Sequence, residues 1–290
     1  MLNAVSARLI ALWLVGASVL TAGATIRREA PAMNDETTIL LLADGPLASE
    51  PSPTTPPLEL ADAEILLNGE IVPEVTMQTG LLMRPLYVDS AGGRSFSVVE
   101  WPADISLKRH WHPVTERVWM VEGSIASPED GEIGPGMFWE APARVAMGPF
   151  TSSGSVFAFL GEGPFETHYL EDGEEAPGAG TTKTVDPDTI PWRPLNDVLG
   201  TDVGGSLKGL SPQTEADRGV YLVRFDGSTA SAYMVRDANL EGYVLSGSLR
   251  LSDPFHGDHL LASGFYFRLP AGFPASLSAT PMNPDRGRSP

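Results

Sequence analysis

The chain has 290 residues, 42% of them hydrophobic, enough to bury one large core or two smaller ones. Its 19 Lys and Arg stand against 37 Asp and Glu, a formal net charge of -18. Such a surface repels phosphate backbones and anionic lipid, which excludes nucleic acid as a partner. The absence of cysteine excludes disulfides, thiolate metal sites and a lipid-modified cysteine.

Residues 1–24 read as an export signal. Arg8 supplies the positive start, "LIALWLVGASVL" the apolar stretch, and "AGA" ending at Ala24 the small residues of a cleavage site. The apolar run is short for a bilayer span. The expectation is a periplasmic or secreted protein with no membrane contact after cleavage, the alternative being an uncleaved anchor. Residues 25–60, with "SEPSPTTPPLELAD", are acidic and proline-rich and read as an unpacked, disordered lead-in.

Beyond them no long amphipathic helix is evident. Short apolar runs dominate: "FSVVEW", "RVWMVEG", "GMFWEAPA" and "SVFAFLG", each bounded by Gly, Pro, Asp or Ser. This pattern, with 30 Gly and 26 Pro for tight turns, predicts an all-β barrel or sandwich. The stretch "EDGEEAPGAGTTKTVDPDT" has linker composition and places a break at 176–190. Residues 286–290 read as a frayed tail.

The sequence then repeats. "RSFSVVEW" at 94–101 aligns with "RGVYLVRF" at 218–225, and "VWMVEGSI" at 118–125 with "GYVLSGSL" at 242–249, both at a separation of 124 residues. "GMFWEAPA" at 136–143 aligns with "GFYFRLPA" at 264–271 at a separation of 128, the extra four residues falling in an expected hairpin loop. "RPL" at 84 recurs at 193. Two β-domains in tandem are expected, over 61–175 and 191–285.

Two of the five histidines lie in "RHWHPVTERVWMVEG", residues 109–123. On a strand, His110 and His112 project to one side and Trp111 to the other. Pro113 to Thr115 can turn the chain, so that Glu116 begins the next strand and reaches back. Val118 and Met120 then face the same way as Glu116. Two imidazoles and a carboxylate make a facial triad for a divalent metal, with open positions for water, dioxygen or substrate.

This stretch resembles the first motif of the cupin superfamily, a His-x-His pair, a Glu a few residues on and a Gly beyond, here His110, His112, Glu116 and Gly123. The second cupin motif is a Gly, a Pro and then a His. "GPGMFWEAPARVAMG" supplies Gly136 and Pro142, but Met147 stands at the histidine position. The tandem layout, the "HWH" spelling and the "RPL" lead-in look like two-repeat cupins known only as a domain of unknown function. The resemblance covers roughly residues 75–285. It implies two tandem double-stranded β-helix (jelly-roll) barrels and one divalent metal, commonly Fe, Mn, Ni or Zn. The superfamily includes oxygenases, isomerases and decarboxylases as well as non-catalytic storage and sugar-binding proteins, so fold leaves function open.

Met147 leaves three outcomes. The centre works with two His and one carboxylate, or it takes copper with the thioether as a soft ligand, or it has decayed. In the second repeat His110, His112, Glu116 and Met147 correspond to Met234, Arg236, Leu240 and Ala275, so no ligand set is expected there. A slip of one residue would bring Glu241 into play but turns it to the other face. His168 reads as a surface group. "DPFHGDHL" at 253–260 reads as a polar turn, with metal capture as the lesser reading. The expectation is an exported two-barrel protein with one divalent metal held by His110, His112 and Glu116, Met147 beside them, acting on a small molecule, for example as an oxygenase. The alternative is a non-catalytic ligand-binding or scaffold protein with a relic site. An open sheet edge makes a homodimer an expectation as well.

Overall fold

The computed structural model describes residues 36–43, 66–68, 74–77, 79–89, 93–195, 204–211, 218–225, 232–234 and 239–280. The export signal over 1–24 and the tail over 286–290 lie outside the described residues. Regular structure among the described residues is strand apart from one 3-10 turn at Pro187–Thr189. No described helix is long and apolar enough to cross a membrane.

The strands form two antiparallel barrels of like design. The first has a seven-stranded sheet in the order Lys183–Val185, Phe138–Ala141, Glu116–Glu122, Ser155–Glu162, Arg94–Trp101, Leu82–Val88, Val75–Thr76. A four-stranded sheet opposes it, and the interior between them is filled by Val99, Val118, Met120, Trp139, Phe150 and Phe157, among others. The second barrel has a seven-stranded sheet in the order Arg193–Pro194, Ser206–Ser211, Gly219–Phe225, Thr37–Ala43, Leu240–Ser246, Tyr266–Leu269, Leu66–Asn68. Its own four-stranded partner contributes Leu249, Leu251, Leu261 and Leu277 to a separate interior. A third apolar layer lies between the large sheets, with Phe96, Trp119 and Leu160 of one barrel against Leu222, Tyr243 and Tyr266 of the other.

The internal repeat is a structural one. Trp119 pairs with Phe138, and Tyr243 with Tyr266, the residues at the corresponding places. His110 bridges to Met147, and Met234 pairs with Ala275. The "RPL" recurrence is a coincidence of letters. Arg84 pairs with Val98 while Lys208 pairs with Leu222, so the counterpart of Arg84 is Lys208, and the second "RPL" lies one strand further out.

Three expectations about segment boundaries are corrected. Thr37–Ala43, inside the stretch read as a disordered lead-in, is the central strand of the second large sheet, between Gly219–Phe225 and Leu240–Ser246. It occupies the place that Ser155–Glu162 occupies in the first barrel, so the second barrel takes its closing strand from the N-terminal side of the chain. Ile39, Leu41 and Ala43 face the interior of the second barrel, and Leu40 and Leu42 face the layer between barrels. Burial on both faces explains an unbroken apolar run where a half-buried strand would alternate. Proline and acid around it outweighed these five residues in composition. Leu66–Asn68, placed by sequence with the first repeat, pairs with Tyr266–Leu269 of the second. The linker over 176–190 is packed: Lys183–Val185 pairs with Phe138–Ala141, Val185 is buried, and Gly178 donates to the carbonyl of Arg144.

Charges are buried between the barrels as well. Arg117, on the Trp119 side of its strand, donates to Glu140 at 2.6 Å and also to Glu162. Arg218 binds Glu162 at 3.1 Å and Glu241 at 2.6 Å. Arg268 lies 3.7 Å from Glu241, and Tyr266 donates to it at 2.8 Å. Arg117 and Glu140 of the first repeat correspond to Glu241 and Arg268 of the second, the same paired positions with the signs exchanged. Burial disfavours the Arg218 charge, yet Glu241 and Glu162 outweigh it and hold the guanidinium more firmly protonated than usual.

Two outcomes test this architecture. Leu40→Ala is expected to cost about 2–5 kcal/mol in urea unfolding, because it opens a cavity between packed sheets; an unchanged midpoint would remove the strand from the fold. Arg117→Ala is expected to cost about 3–5 kcal/mol, because it leaves Glu140 without a guanidinium and takes one of those that hold Glu162 in a buried layer, and calorimetric unfolding would register this as a lowered Tm.

Candidate metal centre

His110–Trp111 is a two-residue strand paired with His168–Tyr169. On its other side His110 exchanges backbone hydrogen bonds with Met147, at 3.0 and 2.8 Å. The alternation holds. His110 and His112 are each buried to 3% exposure with ring centroids 5.0 Å apart, while Trp111 points away and stacks on the half-exposed His168 at 4.1 Å.

Each imidazole is oriented through Nδ1. His110 Nδ1 lies 2.6 Å from the carbonyl of Lys108, and His112 Nδ1 2.7 Å from the carbonyl of Glu166. A carbonyl only accepts, so both Nδ1 atoms carry a proton, and a ring in its neutral form then has its lone pair on Nε2. Phe165 stacks on His112 at 3.9 Å and fixes its plane. Burial pushes the His110 pKa down, partly offset by the Lys108 carbonyl and the Glu116 charge, while His112 adds to the lowering.

Glu116 begins the next strand, on the side of Val118 and Met120, which line the first barrel's interior. Its Oε2 lies 3.2 Å from His112 Nε2. That is an ion-pair distance, yet this buried oxygen has no hydrogen-bond partner. The Nδ1–H tautomer reconciles the two observations, because in it the carboxylate oxygen faces the Nε2 lone pair. A cation resolves that arrangement. Two donors each about 2.2 Å from one ion stand roughly 3.1 Å apart at a right angle and about 3.6 Å at the tetrahedral angle. The donor pair therefore fits a divalent metal. The full triad is not closed: among the described residues no three His, Cys, Asp or Glu side chains form a metal-binding group. His110 stands beside the pair through its ring contact with His112.

Met147 is buried in the same interior cluster as Phe150 and Trp139. Its backbone holds His110, a role that the choice of side chain does not affect. Gly123, the last residue of the first motif, has φ +63°, and a Cβ there would lie 1.9 Å from the carbonyl oxygen of Gly154. Only glycine fits that turn. In the second barrel, Leu240 and Ala275 are buried apolar residues at the Glu116 and Met147 positions, and Glu241 faces the ionic layer, not the interior.

Sequence reasoning missed four participants. The carbonyls of Lys108 and Glu166 are backbone atoms with no signature in residue type. Phe165 lies outside both motifs. The Trp139 indole N–H is also buried without an acceptor, and the ring packs on Phe150, which in turn contacts His110.

Residues 62–166 match the family model described as the ChrR cupin-like domain. Solved structures with the same fold include a candidate dioxygenase from Nostoc punctiforme, 17% identical, TM-score 0.60, covering 85% of each chain. Protein YlbA of Escherichia coli is 10% identical with TM-score 0.54, covering 74% of this chain and 86% of its own. A candidate glyoxylate-induced protein from Pseudomonas aeruginosa is 16% identical with TM-score 0.54, covering 80% and 90%. No curated protein matches the sequence. The fold is that of two tandem cupin-type barrels, and the histidine pair lies in the barrel that the cupin-like family model matches.

The lowered His110 pKa sets a pH dependence for the metal-free protein. The unfolded imidazole titrates near the ordinary histidine value of 6.5 and the folded one below it. The unfolded state thus binds more protons in that window, and stability falls as pH drops through it. Tm measured from pH 7.5 downward is expected to fall less steeply for His110→Asn than for the parent.

Proposed function

We propose that the first barrel binds one divalent metal through His110, His112 and Glu116 and acts on a small oxygen-bearing molecule. The observation that carries this reading is the buried Glu116 Oε2, 3.2 Å from His112 Nε2 and without a hydrogen-bond partner. An ion of the Fe, Mn, Ni or Zn type suits imidazole and carboxylate donors. When bound, it supplies Lewis acidity and open positions for substrate or dioxygen. The carbonyls of Lys108 and Glu166 keep both Nε2 lone pairs available. Met120, Val118 and Phe150 exclude water and orient the apolar part of a ligand. The Trp139 indole N–H, lacking a protein acceptor, offers a hydrogen bond to a ligand oxygen.

The likeness to a candidate dioxygenase supports oxygen chemistry as the first reaction to assay. The apolar stretch within residues 1–24 supports export to the periplasm or beyond, and N-terminal sequencing of the secreted form tests it. A second reading, a ligand-binding protein with a relic centre, is favoured by Met147 in place of a third imidazole and by the unclosed triad. Metal analysis of protein purified without an affinity tag separates the two. About one equivalent at this site, absent from the H110A/H112A variant, supports the metal centre. An unchanged metal content in that variant overturns it.

A further inference from the structure

The hairpin of the second barrel formed by Ser248–Asp253 and Gly257–Ala262 carries side chains that the first centre does not use. The Asp253 carboxylate is fully buried, with 0% side-chain exposure. Its Oδ1 accepts the backbone N–H groups of Phe255 and His256, both at 2.8 Å, and lies 3.1 Å from His256 Nδ1. Burial raises its pKa, but these hydrogen bonds more than offset that and hold the carboxyl below the usual range. A turn of this kind needs one carboxylate oxygen. The other, Oδ2, is also buried and has no hydrogen-bond partner. It faces His259 Nε2 at 3.5 Å, and that nitrogen is likewise buried with no hydrogen bond. The neighbouring Asp258 is engaged by Arg250 at 3.0 Å.

Two buried donor atoms therefore face each other 3.5 Å apart with no hydrogen bond between them. Donors each about 2.1 Å from a tetrahedral ion stand roughly 3.4 Å apart. We infer that Asp253 Oδ2 and His259 Nε2 are two ligands of a second divalent-cation site, completed by the His256 ring. The half-exposed His256 ring stands 6.5 Å from that of His259. With Nδ1 turned to Asp253, its Nε2 is the nitrogen left for metal, and its exposure leaves room to swing inward. Two imidazoles and one carboxylate suit a borderline ion such as Zn(II), with a fourth position for water. This site lies on the hairpin lengthened by the four-residue difference between repeats. It owes nothing to the positions matching His110, His112, Glu116 and Met147.

The test uses the full chain, untagged and stripped with chelator, carrying H110A/H112A to silence the first centre, and titrates it with Zn(II) alone. About one saturable equivalent and a raised Tm are expected, with affinity falling at least tenfold in D253N and in H259Q. D253N keeps an oxygen for the turn amides, and H259Q changes a partly exposed side chain, so both are expected to fold. No saturable binding, or binding that survives both substitutions, overturns the site. If the H110A/H112A background fails to fold, the same titration of the otherwise unsubstituted chain must lose one equivalent on H259Q, and an unchanged count overturns it. Should the first centre bind no metal, the unsubstituted chain and H110A/H112A take up the same single equivalent, and H259Q still abolishes it.

Discussion

Thr37–Ala43 is buried on both faces, and much of the molecule follows from that. One face completes the interior of the second barrel, and the other supplies Leu40 and Leu42 to the layer shared with the first. A fully buried Leu or Ile contributes roughly 1.5–3 kcal/mol, so this one strand ties two hydrophobic cores together. It also links chain order to architecture, because the first barrel is closed by its own Ser155–Glu162 and the second by a segment more than a hundred residues upstream of the two strands it pairs with.

The layer between barrels carries charge as well as apolar surface. Arg117 is held between Glu140 and Glu162, and Arg218 between Glu162 and Glu241. Buried charges are costly unless paired and hydrogen-bonded. Here the pairing is met by exchanging signs between repeats, with Arg117 and Glu140 answered by Glu241 and Arg268. A duplicated surface with identical charges at these positions would have set like against like. The exchange lets two barrels of common design face one another, and it ties those charges to structure instead of chemistry.

The repeats keep their strand register and part company at the centre. His110 bridges to Met147 as Met234 pairs with Ala275, yet the first barrel keeps an imidazole and a carboxylate where the second has Met234 and Leu240. The second interior is completed by aliphatic packing. The first retains buried polar atoms that the protein itself leaves unpaired, Glu116 Oε2 and Trp139 Nε1. Unpaired buried polar groups are unfavourable in a stable core, which sets the first interior apart from the aliphatic second one.

Local pattern was legible in the sequence because it rests on short-range rules. Alternation gave the strands and the shared face of His110 and His112. Positive-φ turns called for glycine at Gly123. The separation of 124 residues announced the duplication and even the pairing of equivalent residues. Tertiary structure alone decided the rest, because those facts depend on contacts between distant segments. Composition hid the strand at Thr37–Ala43, whose burial needs two barrels to exist. It made a linker of Lys183–Val185, which a sheet edge captures. The tautomers of His110 and His112 were set by carbonyls of Lys108 and Glu166, atoms every residue has. The facing of Asp253 and His259 arose from hairpin register. Residue type states what a side chain can do; only the packed fold decides which atoms are left without a partner.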